Sequence, residues 1–194
     1  MPLRNNFESI AYQYYPKGVD AMLNKMIYEK SKEFRLLVQK IDNGSKKINI
    51  KAFKLSLGDF LNKKVYDFSL LSWHDRAYNL QIEIYHEGNK KFVLCINFSV
   101  LISYYICYVL VIEKQQNSGM LKYKPTRNFE IEVSLFNDNL TDIKNFIEQQ
   151  TKFKEFPSDI LYKKIPDINF QDIEMNKFTF FNAFFLNDYH TRIY

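Results

Sequence analysis

The chain has 194 residues, 46% of them apolar and 17% aromatic, with five glycines and five prolines. That length suits one domain with a sizeable core, and the composition excludes both a disordered chain and a string of modules on flexible linkers. The net charge of +5 comes from 27 basic and 22 acidic residues; the basic ones fall in short pairs such as Lys46-Lys47 and Lys90-Lys91, which describes a solvated surface rather than a polyanion-binding tract.

Taken in chain order, Phe7 to Tyr15 reads as a short helix that ends before Pro16-Lys17-Gly18. Asp20 is placed to cap the next helix. There Leu23, Met26, Ile27, Phe34, Leu37, Val38 and Ile41 recur at helical spacing, with Lys25, Glu29, Lys32, Glu33 and Lys40 on the other face and Asn43-Gly44 as the stop. The pattern predicts one long helix whose apolar stripe is core. Ile50 to Leu61 fits two patterns: Ile50, Phe53, Leu57, Phe60 and Leu61 a helix, and Phe53, Leu55 and Leu57 a strand; helix is favoured, with Gly58 tolerated inside it at about 1 kcal/mol relative to Ala. Val65 to Trp73 reads as an edge-like strand. Tyr78 to His86 alternates apolar and polar residues, and Glu87-Gly88-Asn89 turns it into the next segment.

That segment, Phe92 to Ile112, is 21 residues without a charge. It is long enough for a membrane-spanning helix. Its composition argues otherwise: Tyr104, Tyr105 and Tyr108 would lie at mid-membrane depth, whereas tyrosine prefers the interface. Phe92, Leu94, Ile96, Phe98 and Val100 alternate with smaller Val93, Cys95, Asn97 and Ser99, and a second alternation runs from Ile102 to Ile112. A period of two predicts two consecutive central strands with a turn or bend near Val100 to Ser103, and no membrane span; no Gly, Pro or Asp marks that turn, so a single long bent strand is the alternative. Beyond it, Gln115 to Gly119 reads as a loop, Phe129 to Leu135 as a strand, and Leu140 to Phe153 as a helix closed by Pro157. The tail places five phenylalanines between Phe178 and Phe185, spaced for a short buried helix docked on the sheet. Helices, then strands, then helices predict a single α+β domain over residues 1–194: an antiparallel β-sheet with helices packed on one face.

The chemistry is mostly one of absent signatures. The glycines never cluster into a phosphate loop, and there is no CxxC, no HExxH and no histidine pair at ligand spacing. No metal and no cofactor is called for. Cys95 and Cys107 both lie in the most apolar stretch and are read as reduced, buried and inert. No secretory leader follows the first methionine, so the cytoplasm is the expected location. Basic and aromatic residues are plentiful, but the aromatics fall at core-periodic positions, which argues against nucleic acid as a partner.

Two polar clusters stand out as candidate partner-binding residues. Ser72-Trp73-His74-Asp75-Arg76 sets the only tryptophan beside a titratable and an ion-pairing group, and Asn187-Asp188-Tyr189-His190-Thr191-Arg192 repeats the theme. Trp, Tyr and Arg dominate interface hot spots. The candidates are therefore Trp73, His74, Asp75, Arg76, Asp188, Tyr189 and Arg192, projecting from a strand end and from the tail. Beside this stands the plainer reading of each cluster as a charged turn with an anchoring aromatic.

Tyr14-Tyr15-Pro16-Lys17-Gly18 between two helices, the hairpin FSVLISYYICY from Phe98, and FTFFNAFFLNDY from Phe178 together resemble small Bacteroidetes proteins encoded beside polymorphic or contractile-system toxins and regarded as immunity proteins. The likeness covers most of the chain in its order of elements and rests on core and turn patterns. It implies a non-enzymatic cytoplasmic protein that binds and neutralises a cognate toxin by occluding or distorting the toxin's active site. Immunity proteins against basic nucleases are often acidic, and this chain departs from that pattern. The alternatives are an enzyme with a site built from dispersed residues and a nucleic-acid-binding module.

Overall fold

A computed structural model describes residues 2–44, 48–71, 75–114, 121–125 and 137–187. The expected strand at Phe129 to Leu135 and the loop at Gln115 to Gly119 lie outside the described residues. Seven helices and six strands are described: α1 (Pro2–Ala11), α2 (Lys25–Lys30), α3 (Lys32–Asn43), α4 (Ile50–Leu61), β1 (Val65–Asp67), β2 (Ala77–Glu87), β3 (Lys90–Ser99), β4 (Tyr104–Lys114), β5 (Leu121–Pro125), α5 (Asn137–Gln150), β6 (Lys154–Glu155), α6 (Ser158–Leu161) and α7 (Phe180–Phe184). The fold is α+β.

Strands β1 to β5 lie side by side in sequence order, each antiparallel to the next, and β6 adds a short parallel pair on β4. The uncharged run is the centre of this sheet. Phe92 pairs with Val111, Leu94 with Val109, Ile96 with Cys107 and Phe98 with Tyr105 on one face; Val93 pairs with Leu110 and Cys95 with Tyr108 on the other. The bend between the strands has no Gly, Pro or Asp because Ser99 serves instead: its Oγ accepts the N–H groups of Leu101 and Ile102 at 3.2 and 3.3 Å. No helix among the described residues is long and apolar enough to cross a membrane.

Helices cover both faces of the sheet, not one. Phe53 and Leu57 of α4, with Ile143 and Ile147 of α5, close over Leu94, Ile96 and Phe98. Phe7 and Ala11 of α1, Leu37 and Ile41 of α3, and the phenylalanines of α7 close over Val93, Cys95 and Leu110. Strands buried on both faces read as nearly continuous apolar sequence, which is why the run lost its charges altogether. The short tail helix docks as expected, with Phe180, Phe181 and Phe184 all buried, and Thr179 with Asn182 forms a capping box at its start.

The expected long helix is broken. Ser31 is extended (φ −65°, ψ 152°), and its side chain accepts the Phe34 N–H, so it caps α3 and ends α2. Only the second half of the apolar stripe is core: Leu37 and Ile41 are buried, whereas Leu23, Met26 and Ile27 face solvent. Strand β1 is also shorter than expected. The Asp67 carboxylate accepts the Ser69 N–H at 2.9 Å and turns the chain.

Candidate functional site

Of the expected partner-binding residues, Trp73, His74, Asp188, Tyr189 and Arg192 lie outside the described residues. Asp75 and Arg76 are described, and the expectation that they project from a strand end is corrected: both are buried. The Arg76 guanidinium has no exposed surface. Its Nε donates to the Asn182 carbonyl at 3.1 Å, an Nη donates to Asn187 Oδ1 at 2.7 Å, and its carbon stands 5.2 Å from the centre of the Phe170 ring. The backbone joins in: the Arg76 N–H donates to the Phe185 carbonyl, and the Arg76 carbonyl accepts from Val100. Burial pulls the guanidinium below the ordinary arginine range, while Tyr15, Asp75 and Tyr28 act in the opposite sense. Arg76 thus ties the start of β2 to the C-terminal end of α7, where a cation also meets the helix dipole favourably.

The cysteines sit on opposite faces of the sheet, Cys95 in one cluster and Cys107 in the other, and both are free and buried. Burial pushes the Cys95 thiol up to about 12 and the Cys107 thiol well above the thiol range, which suppresses thiolate chemistry. Among the described residues, no three His, Cys, Asp or Glu side chains are placed to hold a metal ion.

The surface feature that sequence periodicity missed is a platform at residues 22–27. Met22, Leu23, Met26 and Ile27 are all exposed, Leu23 at 85% and Met26 at 75% of full accessibility. Single exposed apolar residues are ordinary; four large ones within six positions form a contiguous patch of the kind that marks interaction sites. Two are methionines, whose flexible thioethers suit adaptable binding surfaces.

The backbone beneath the platform is pinned. Asn169 is 1% exposed. Its Oδ1 accepts the Ala21 N–H at 2.9 Å, its Nδ2 donates to Asp20 Oδ2 at 3.0 Å, and its carbonyl accepts the Tyr28 hydroxyl at 2.7 Å. The other Asp20 oxygen accepts the N–H groups of Met22 and Leu23 at 2.9 and 2.8 Å. Asp20 therefore caps as its sequence position suggests, but it caps the platform's opening turn. Gly18 (φ +73°) donates its N–H to the Asp167 carbonyl at 2.7 Å, and Asp167 itself has φ +57°. Both ends of this bond are left-handed, a conformation that glycine adopts at no steric cost. Tyr28 is buried beneath, edge-on to Phe34 and stacked near Phe170.

Past the platform, a groove of about 540 Å³ lies along α2 and α3, lined by Glu29, Phe34, Arg35 and Val38 among others. Glu29 follows Met26 by three positions on α2, so platform and groove adjoin. Compared with family models, with curated proteins and with solved structures, the chain matches none.

Proposed function

We propose that this chain acts without catalysis by binding one protein partner on the platform, and that the partner is a toxin encoded beside it, which it neutralises. The carrying observation is the exposure of Met22, Leu23, Met26 and Ile27 on a pinned backbone. Four large apolar side chains in water oppose solubility and contribute nothing to the core, so their presence asks for a surface that covers them. A pinned backbone loses little freedom when the partner docks, which raises affinity for a given contact area. The resemblance to immunity proteins supplies the identity of the partner, and suppressed thiolates agree with a non-catalytic role.

The test is co-expression with the neighbouring toxin. Wild type is expected to protect the cell and to bind the toxin in vitro. A Leu23→Ser, Ile27→Ser double variant, checked for native folding, is expected to lose binding by about 30-fold or more, as removal of hot-spot anchors does. Failure of the wild type to bind any neighbouring gene product sinks the toxin assignment.

A further inference from the structure

One face of the central sheet is interrupted by uncharged polar side chains. Asn79 stands opposite Asn97, Gln81 opposite Cys95, and Cys95 opposite Tyr108. All five lie on the face covered by α1, α3 and α7, since side chains two positions apart on a strand share a face. All are buried, Asn97 completely and Gln81 to 1% exposure. Among the described residues, neither Oδ1 nor Nδ2 of Asn97 has a hydrogen-bond partner, and Gln81 Oε1 has none. We infer that this patch is an internal water site, in which a bound water bridges Gln81 Oε1 and the Asn97 amide across β2 and β3.

Left bare, three such atoms would oppose folding by a large part of a domain's net stability. The backbone brings them together. Gln81 Nε2 donates to Asn79 Oδ1 at 3.4 Å, which sets the Gln81 head group beside Asn79, the cross-strand neighbour of Asn97. A water there gives one hydrogen to Gln81 Oε1, gives the other to Asn97 Oδ1 and accepts from Nδ2. Three bonds are the usual number for a buried water. The class of ligand follows from the walls. Burial holds the Tyr108 hydroxyl well above the phenol range, and that hydroxyl lies close enough to Cys95 and Asn97 to feel both, although Asn97 makes no bond of ordinary geometry with it. Burial likewise holds the Cys95 thiol up at about 12. All five side chains are therefore neutral near pH 7, and an ion would enter without a countercharge. An apolar guest would leave the amides bare. Val93, Ile106 and Leu110, all buried, close the patch along the strands. Neither the groove along α2 and α3 nor the one between α4 and β1 is lined by any of the five, so neither offers a larger molecule a way in.

Water itself is the probe. In nitrogen-edited ROESY spectra of the full chain, the Asn97 side-chain protons are expected to show cross-peaks to the water line of sign opposite to the diagonal, the mark of dipolar contact and not of proton exchange. The matching NOESY peaks should carry the sign of the diagonal, as for a water that tumbles with the protein. Asn97→Leu identifies the resonances by their loss. That variant also strands the Gln81 oxygen, and it should lower the folding equilibrium constant, read by urea unfolding, by about tenfold or more. Adding Gln81→Leu removes the other end of the bridge and should recover at least part of that loss, which two independently misfitting side chains would not do. A gain in stability from Asn97→Leu alone would show a truly unsatisfied amide and overturns the inference, as do losses that merely add. So does the absence of water cross-peaks at Asn97, or their replacement by NOEs from its Nδ2 protons to a side chain elsewhere in the chain, which would then be the partner. The wild-type spectra decide the matter even where a variant fails to fold.

Discussion

Two regions of this protein invert the usual partition of side chains. At residues 22–27 four large apolar groups face water; at residue 76 a guanidinium is wholly enclosed. Both inversions sit on backbones held by long-range hydrogen bonds, the first to Asn169 and the second to Asn182 and Phe185. They differ in what the fold gains. Arg76 joins segments 106 positions apart in sequence and satisfies carbonyl groups that its removal would strand. Among the described residues, the platform side chains belong to neither core cluster. A buried charge with partners is explained by the fold it ties together, whereas exposed apolar groups on a rigid base are, on the reading proposed above, explained by a partner surface.

The largest expected effect tests the enclosed side of this comparison. Arg76→Met fills a similar volume but takes the guanidinium donors away from the Asn182 carbonyl and from Asn187 Oδ1. A loss on the order of 3 kcal/mol or more in urea unfolding is expected. A variant as stable as wild type would mean that Arg76, too, is held for function and that the contrast is false.

A smaller effect concerns Cys95, which shares the Arg76 side of the sheet. Its thiol is raised to about 12 in the folded chain by burial. Unfolding releases it to its ordinary range, so above that range the unfolded state binds fewer protons and stability falls as pH rises. The contribution is whole below about pH 9 and is lost progressively towards 12. At pH 11 the loss amounts to roughly 2–3 kcal/mol. Cys95→Ala should therefore flatten the alkaline decline, measured as urea midpoints from pH 8 to 11. An unchanged slope would show that Cys95 is not sealed.

Asn169 lies between the two extremes, a buried amide whose work is to hold exposed groups. Asn169→Ala strands the Ala21 N–H and frees one Asp20 oxygen, with an expected loss of about 1–2 kcal/mol. Amide exchange at Ala21, Met22 and Leu23 should accelerate well beyond that at β3, since local opening precedes global unfolding. Equal acceleration everywhere would show that Asn169 supports the whole fold and does not specifically order the platform.

Much of the fold is legible in residue order. The two-residue alternation of Phe92 to Ile112 gives the central hairpin, the phenylalanines from Phe178 to Phe185 give the docked tail helix, and Ile50 to Leu61 gives α4 with its observed bounds. Coverage of both sheet faces is written in the same run, in Val93, Cys95 and Leu110 as much as in Leu94 and Ile96. The candidate site is less legible. Periodicity classes Leu23, Met26 and Ile27 with Leu37 and Ile41, because amphipathic spacing reports a stripe and not what covers it. The one local signal was Ser31 followed by Glu33 and Phe34, a serine able to cap a new helix and end the old one. The burial of Arg76 has no local signal at all, because its acceptors come from Asn182 and Asn187, more than 100 positions away.

The smallest expected effect discriminates most sharply. Leu23→Ser and Ile27→Ser, singly or together, should change folding stability by no more than about 0.5 kcal/mol each, the ordinary range for surface positions. The matched control is Leu37→Ala on the buried half of the same stripe, where a fully enclosed leucine should cost about 2–5 kcal/mol. Both sets are read by urea unfolding under one condition, and the serine variants are then carried into the binding assay. Near-zero stability change with lost binding is the signature of a surface held for a partner. If the serine variants instead lose stability as Leu37→Ala does, residues 22–27 are covered in solution by the chain itself, and the platform is a piece of core.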